Sequence, residues 1–415
     1  MLIRKAFKFR LDPDVEQASQ LAKGSGCSRF VWNKALALQK EKLQNQEKVY
    51  TYNDLAGFLT KWKKEEAYSF LKSAHSQPLQ QTLKDLDRAL KDGFSKSKGM
   101  PKFKKKNVSC DSMKFPQGFR FKGRHLFIPK IGFVKTYQGR PVEGTMKNLT
   151  LRKEAGLWYA AVQVEQEIEV KTHKKLNSTV GIDVGVKRFA TLSNGKVIEP
   201  ISVYRRFEDK LAKSSRRFAR KEKGSRNKDK ERRKIQDLHE KIRRIRHDFL
   251  HKATDWIAKT HGTVVLEDLQ ISNMSRSAKG SVEEPGRCVK QKAGLNKSIL
   301  DQGWFEFKRQ LQYKLDWRGG VLHIVPPQYT SQSCSKCGHV SPDNRKSQAE
   351  FVCTSCHFQA NADENAARNI ESKALGRRVV ACGSNLSERS SKQEPERKRK
   401  VRKNISKPLS LETPF

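Results

Sequence analysis

The residues best suited to chemistry begin with four cysteines. Cys334-Ser-Lys-Cys337 and Cys353-Thr-Ser-Cys356 are two CxxC pairs with fifteen residues between them. That is the spacing of a four-thiolate zinc ribbon, in which each pair turns as a tight knuckle and one Zn²⁺ closes the tetrahedron. Such an ion has no open coordination position, so its task is to staple a small fold. His339 and His357 lie close by in sequence and read as neighbours of the zinc site rather than ligands. Seven residues past the last cysteine, Asp363 stands at the start of a helical segment, Asn361-Ala-Asp363-Glu-Asn365-Ala-Ala-Arg-Asn369-Ile.

Two carboxylates upstream sit in comparable settings. Asp183 lies inside the apolar run Val180-Gly-Ile-Asp183-Val-Gly185, and Glu267 closes Gly262-Thr-Val-Val-Leu266. Burying an unpaired carboxylate costs several kcal/mol, so an aspartate in an apolar strand calls for a cation. Oxygen donors without histidine suit Mg²⁺ or Mn²⁺ rather than zinc. Two such ions about 4 Å apart activate a water and stabilise the leaving oxygen in phosphodiester cleavage. Singly, each acid has a plainer reading: Asp183 as a turn residue facing a lysine, Glu267 and Asp268 as caps of a following helix, Asp363 as an N-cap. Taken together, in strand, strand, helix order beside a ribbon, they point to a catalytic metal site. Asp268 competes with Glu267 for the middle position, because side-chain alternation does not decide a strand's last residue.

Composition names the partner class. The 415 residues carry 86 Lys+Arg against 44 Asp+Glu, a net charge of +42. That excess is far beyond what solubility needs and predicts a polyanion, nucleic acid first. No apolar run of eighteen residues and no signal-like segment after Met1 is found, so a soluble protein of the cytoplasm, associated with the nucleoid, is expected. Cys27, Cys110, Cys288 and Cys382 are scattered singly and read as reduced packing thiols.

The elements that must position these groups follow from periodicity. Ile3, Phe7, Phe9 and Leu11 alternate with Arg4, Lys8 and Arg10 as a half-buried strand with a basic outer face. From Val15 to about Gln46 the spacing is helical, with Gly24 and Gly26 predicting a break between two helices. Helical spacing returns from Asn53 to about Gly93. Residues 15–94 are therefore expected to form a helical domain inserted into a β-domain of residues 1–14 and 95–172, whose short alternating runs predict a barrel or sandwich. Its edge carries Lys102, Lys104 and Lys105, suited to backbone phosphate.

An α/β region is expected over 178–330 and 360–375. Within it, residues 204–261 form a basic helical pair with nineteen Lys/Arg between Arg205 and Arg246; Arg232, Arg233, Arg243 and Arg244 are its expected phosphate contacts. Ser272–Gly294 reads as a mobile polar loop. Leu300, Trp304, Phe307 and Leu311 predict one helix, and Val321–Val325 a buried strand. The ribbon occupies 331–359, with Lys336 on a basic rim. Residues 376–415 read as a basic disordered tail, removable after about Leu375.

These residues resemble the TnpB family, RNA-guided DNA endonucleases encoded by insertion sequences and related to the type V CRISPR effectors. The resemblance runs almost end to end: Gly26-Cys-Ser-Arg29-Phe-Val-Trp-Asn33, Pro101-Lys-Phe-Lys, Gly181-Ile-Asp183-Val-Gly185 with Phe189-Ala, Leu266-Glu267-Asp268-Leu, Trp304 with Gln310-Leu-Gln-Tyr-Lys, Tyr329-Thr-Ser-Gln-Ser-Cys334, and Ala362-Asp363-Glu-Asn365-Ala-Ala-Arg-Asn369-Ile370. It implies a ribonuclease-H-like (RuvC) nuclease with an inserted zinc ribbon, preceded by a wedge β-barrel that a helical recognition domain interrupts. It also implies that Asp183, Glu267 and Asp363 are the RuvC metal ligands, and that Cys334, Cys337, Cys353 and Cys356 hold zinc. The partners implied are a guide RNA copied from the element's end and double-stranded target DNA. Two other classes compete. A transposase or recombinase performing strand transfer would give joined products; a non-catalytic zinc-ribbon protein that binds RNA would do so without regard to Mg²⁺.

Overall fold

The computed structural model describes residues 1–106, 111–170 and 172–376; Cys110, Cys382 and the expected tail from residue 377 onward lie outside the described residues. Strand β1 (Leu2–Asp12) buries Ile3, Phe7, Phe9 and Leu11 and exposes Arg4, Lys8 and Arg10. Asp14 then caps α1 (Val15–Gln44), accepting from the Gln17 N–H at 2.8 Å while Gln17 returns a bond to the cap. The expected break at Gly24 and Gly26 is absent: α1 runs through both. A Cβ on Gly24 would lie 2.8 Å from Met113 Sδ, so this glycine serves close approach to a strand rather than a turn.

Helix α2 (Tyr52–Lys64), a 3-10 turn over Glu66–Ser73 and α3 (Ser76–Phe94) complete the helical part, around Val31, Trp32, Leu36, Leu55, Leu59, Trp62, Leu79, Leu83 and Leu86. Then come β2 (Ser112–Phe115), β3 (Arg120–Lys122), β4 (His125–Ile128), β5 (Gly132–Tyr137), β6 (Thr145–Glu154) and β7 (Leu157–Glu167). With β1 they form one antiparallel sheet in the order β2-β6-β7-β1-β5-β4-β3 around a single core that includes Phe9, Leu126, Leu151, Trp158 and Val162. Among the described residues no ladder joins β2 to β3, so the expected barrel is open in its hydrogen bonding. Its end strands, four and three residues long, are short edges with little ladder to offer.

The α/β part opens with β8 (Thr179–Val184), β9 (Ala190–Leu192) and β10 (Val197–Ile198). Helices α4 (Val203–Arg220) and α5 (Arg226–Thr260) pack against each other through Val203, Leu211 and Ile242, and β11 (Thr263–Glu267) follows. Next are α6 (Ile271–Met274), α7 (Val289–Gln302), α8 (Trp304–Asp316) and β12 (Val321–Val325). The five strands order as β10-β9-β8-β11-β12, with β8, β11 and β12 parallel.

Three expectations change here. Helix begins at Val289, inside the expected loop, which shortens it. Gly303, at φ +73°, divides the expected single helix into α7 and α8, a left-handed backbone that glycine adopts without strain. Strand β12 is an edge strand buried only at Val325, not a covered one. The chain ends its described part with β13 (Glu350–Val352), β14 (Gln359–Asn361) and α9 (Ala362–Ala374), which packs across β8. Among the described residues no helix is long and apolar enough to cross a membrane.

Candidate active site

Parallel pairing of β8 and β11 sets Ile182 beside Leu266, so the next residues along the two strands, Asp183 and Glu267, emerge side by side at the carboxyl ends. That end of a parallel sheet is where α/β proteins receive ligands. The third acid arrives on α9. A Cβ on Gly181 would sit 2.1 Å from the Ala367 carbonyl oxygen and 2.6 Å from the Glu371 nitrogen, so only glycine lets the helix lie this close. The N-cap of α9 is Asn361, which accepts from the Asp363 N–H at 3.1 Å and from Arg188 Nη1 at 3.2 Å. Asp363 therefore does not serve as the cap itself, and its charge is felt at Asp183.

The electrostatics are those of crowded anions. Burial, then the charges of Glu267 and Asp363, push the Asp183 carboxyl from its ordinary 3.8 up to about 7, against the opposing pull of Arg345 and the Val184 N–H. Burial also raises Glu267, offset by the Thr330 hydroxyl, which donates to Glu267 Oε1 at 2.5 Å, and by Lys373. The nearest cation to Asp363 is Arg345 Nη2 at 3.8 Å. The charges of Glu267 and Asp363 thus reach Asp183, but among the described residues only the four cysteines gather as a group that could hold a metal ion; an all-oxygen donor set suits a hard divalent cation rather than zinc. Asp268 stands apart, exposed and paired with Lys308 Nζ at 3.0 Å, and so the strand's last residue, Glu267, is the one that lies beside Asp183. The bonds of Thr330 and Arg345 to the acids are not legible in the sequence: nothing in Tyr329-Thr-Ser-Gln-Ser-Cys334 marks Thr330 as a partner of Glu267, and nothing around Arg345 marks it before the ribbon folds back.

The four cysteine sulfurs all lie within 4.8 Å of one another, with Cys334–Cys356 at 3.7 Å and Cys337–Cys353 at 3.5 Å. A tetrahedron with Zn–S bonds of about 2.3 Å has edges of about 3.8 Å, so this cluster can hold zinc as it stands. Burial works against ionising Cys353, yet N–H groups of Cys356 and Ser355 bring its thiol down to about 7. His339 and His357 stay out of the cluster. The ribbon is tied to the acid helix: the Ser335 N–H donates to Asn365 Oδ1 at 2.9 Å, Asn365 Nδ2 to the Ser333 carbonyl at 2.8 Å, and Asn369 Nδ2 to the Thr330 carbonyl at 2.9 Å.

The basic residues divide into two groups. Arg243 and Arg244, read from sequence as phosphate contacts, dock α5 on the large sheet while staying half-exposed: Arg243 bonds Glu240 and Glu154, and Arg244 bonds Glu240 and the Tyr159 hydroxyl. Arg232 pairs with Asp229 within α5 at 2.9 Å. Exposed pairs of this kind are worth about 0–1 kcal/mol each and so do not remove these guanidinium groups from reach of phosphate. Lys102, Arg233 and Lys336 are exposed. The Lys102 edge is anchored to α1, its carbonyl accepting from Trp32 Nε1 at 3.0 Å, and Lys104 Nζ stands 3.8 Å over the Trp32 ring.

A family model described as "Probable transposase" matches residues 161–278, one described as "Cas12f1-like, TNB domain" matches 304–370, and a helix-turn-helix model matches 1–48, where this chain forms β1 and α1. The chain is 46% identical over 394 residues, 94% of its own length and 97% of the other's, to "Putative RNA-guided DNA endonuclease InsQ" of Escherichia coli (strain K12). It is 33% identical over 410 residues, 95% and 97% of the two lengths, to a protein of Streptomyces pristinaespiralis with the same functional description. A solved Cas12f1-sgRNA-target DNA complex aligns over 90% of this chain and 100% of that one, at 20% identity and a TM-score of 0.35.

Proposed function

The chain belongs to the TnpB family, and from that membership we propose that it is an RNA-guided DNA endonuclease of a transposable element, cleaving target DNA by two-metal phosphodiester hydrolysis. The observation that carries this reading is the register of β8 and β11, which brings Asp183 and Glu267 side by side at the carboxyl ends of parallel strands with α9 packed across β8. Acids so placed are costly unless a cation joins them. Asp183, Glu267 and Asp363 would hold Mg²⁺ or Mn²⁺, which when bound ionise a water near neutral pH and neutralise the leaving oxygen. The chain's own groups prepare that place. Thr330 orients Glu267 through its hydroxyl, Asn361 and Arg188 hold the first turn of α9, and Arg345 brings positive charge from the ribbon.

We assign a ribonuclease-H-like (RuvC) nuclease to the five-stranded sheet with α9, a wedge to the seven-stranded sheet, recognition to residues 15–94, and a stapling role to ribbon residues 331–359. The net charge of +42 supports guide RNA and double-stranded DNA as partners, with the nucleoid as the place of work. The test uses the protein purified with its bound RNA. Asp183→Ala is expected to cut target DNA about a thousandfold more slowly or worse, a loss of about 4 kcal/mol of transition-state stabilisation, while RNA retention stays near normal. Undiminished cutting would overturn the proposal.

A further inference from the structure

One exposed aromatic ring, next in sequence to Thr330, has no hydrogen-bond or ring partner among the described residues. Tyr329 is 64% exposed, at φ +61°. The left-handed region is costly for a residue with a Cβ and a ring, and such strain persists only where the surroundings impose it. Here they do. The Tyr329 carbonyl accepts from the N–H groups of Gln332 at 3.1 Å and Ser333 at 2.9 Å and from the Ser333 hydroxyl at 2.7 Å. On one side, Lys373 Nζ donates to the Gln328 carbonyl at 2.5 Å. On the other, buried Thr330 bonds Glu267 through its hydroxyl and Asn369 through its carbonyl. The backbone is thus clamped to the β11 acid and to α9, whereas the phenol makes no hydrogen bond or ring contact with any described residue.

A hydrophobic ring held rigidly in water, one residue from a group that touches Glu267, is a stacking surface with its ordering entropy already met. We propose that Tyr329 is a stacking platform for a base of the DNA strand being cut, fixing the nucleotide next to the scissile phosphate over the acids. The inference rests on the acid site being where DNA is cleaved. Base–aromatic stacking survives a change of sequence because every base has a π-face, so the platform positions without selecting sequence.

The experiment uses the protein with its bound RNA and a target DNA carrying 2-aminopurine beside the cut. In an Asp183→Asn background, which holds DNA without cutting, stacking on Tyr329 quenches the fluorophore, and adding Tyr329→Ala releases it. In the active protein Tyr329→Ala lowers cutting at subsaturating DNA by roughly 5- to 150-fold, mostly through KM, the range that stacking is worth. Tyr329→Phe and Tyr329→Trp restore it. Tyr329→Gly relaxes the backbone and safeguards folding, which a thermal melt checks, but it still loses cutting as Tyr329→Ala does. Wild-type cutting by Tyr329→Gly, or quenching that survives Tyr329→Ala, overturns the inference. Failure of the acid-site reading would appear separately, as wild-type cutting by Asp183→Asn.

Discussion

The thiol cluster and the acid cluster are built on opposite plans. The four cysteines lie within 23 positions, Cys334 to Cys356, and two tight knuckles gather their sulfurs to within 4.8 Å. The three acids span 181 positions, Asp183 to Asp363, and come within electrostatic reach only because two parallel strands and one helix converge. The ribbon is a local device in which ligand spacing alone prepares the site. The acid cluster is a non-local one that places like charges together at a cost in stability, which a cation would offset. The two are not independent, since Asn365 and Asn369 bond both the ribbon's approach and its first knuckle from α9.

That contrast can be broken first at the ribbon. Cys337→Ser should reduce bound zinc to none by elemental analysis and open residues 334–361 to proteolysis, because zinc binding in small ribbons supplies folding free energy of about 10 kcal/mol. With the hold on α9 loosened, cutting should fall tenfold or more. Full cutting by a zinc-free variant would show that the ribbon does not support the acids.

The next effect belongs to Asp183. Its carboxyl is raised from 3.8 to about 7, so its contribution to stability is whole below pH about 4 and is lost as pH rises through 7. The loss is about 4 kcal/mol. Protein free of magnesium should melt at a lower temperature at pH 8 than at pH 5; Mg²⁺ should recover most of the difference, and Asp183→Asn should remove that part of the pH dependence. A wild-type melting curve that matches Asp183→Asn at every pH would contradict the crowding described here.

The smallest expected change sharpens the non-local side alone. Gly181→Ala forces a Cβ against the Ala367 carbonyl oxygen, which should destabilise the fold by about 3 kcal/mol by overpacking. It should also weaken cutting by displacing Asp363, with zinc content unchanged. Coincident loss of zinc would mean that the two sites share one folding unit.

Much of the site was legible before any coordinates. The cysteine spacing carries its own geometry, and acids within or ending apolar runs announce a cost that needs explaining. What was not legible depends on neighbours distant in the chain. Gly24 read as a helix break because a glycine's purpose is invisible until Met113 lies against it. The docking bonds of Arg243 and Arg244 were invisible because Glu154 and Tyr159 lie on strands over eighty positions away.

The amino-acid order by itself determined the residue types: four soft thiolates at ribbon spacing, three hard carboxylates in apolar company, and a surplus of positive charge. Only tertiary structure decided that Glu267 rather than Asp268 lies beside Asp183, that Arg345 reaches Asp363, and that the Tyr329 ring stands exposed one residue from Thr330, which bonds Glu267. The reason is physical. Strand register and the close contact of α9 on Gly181 set directions in space, and direction is a property of packing that no local pattern encodes.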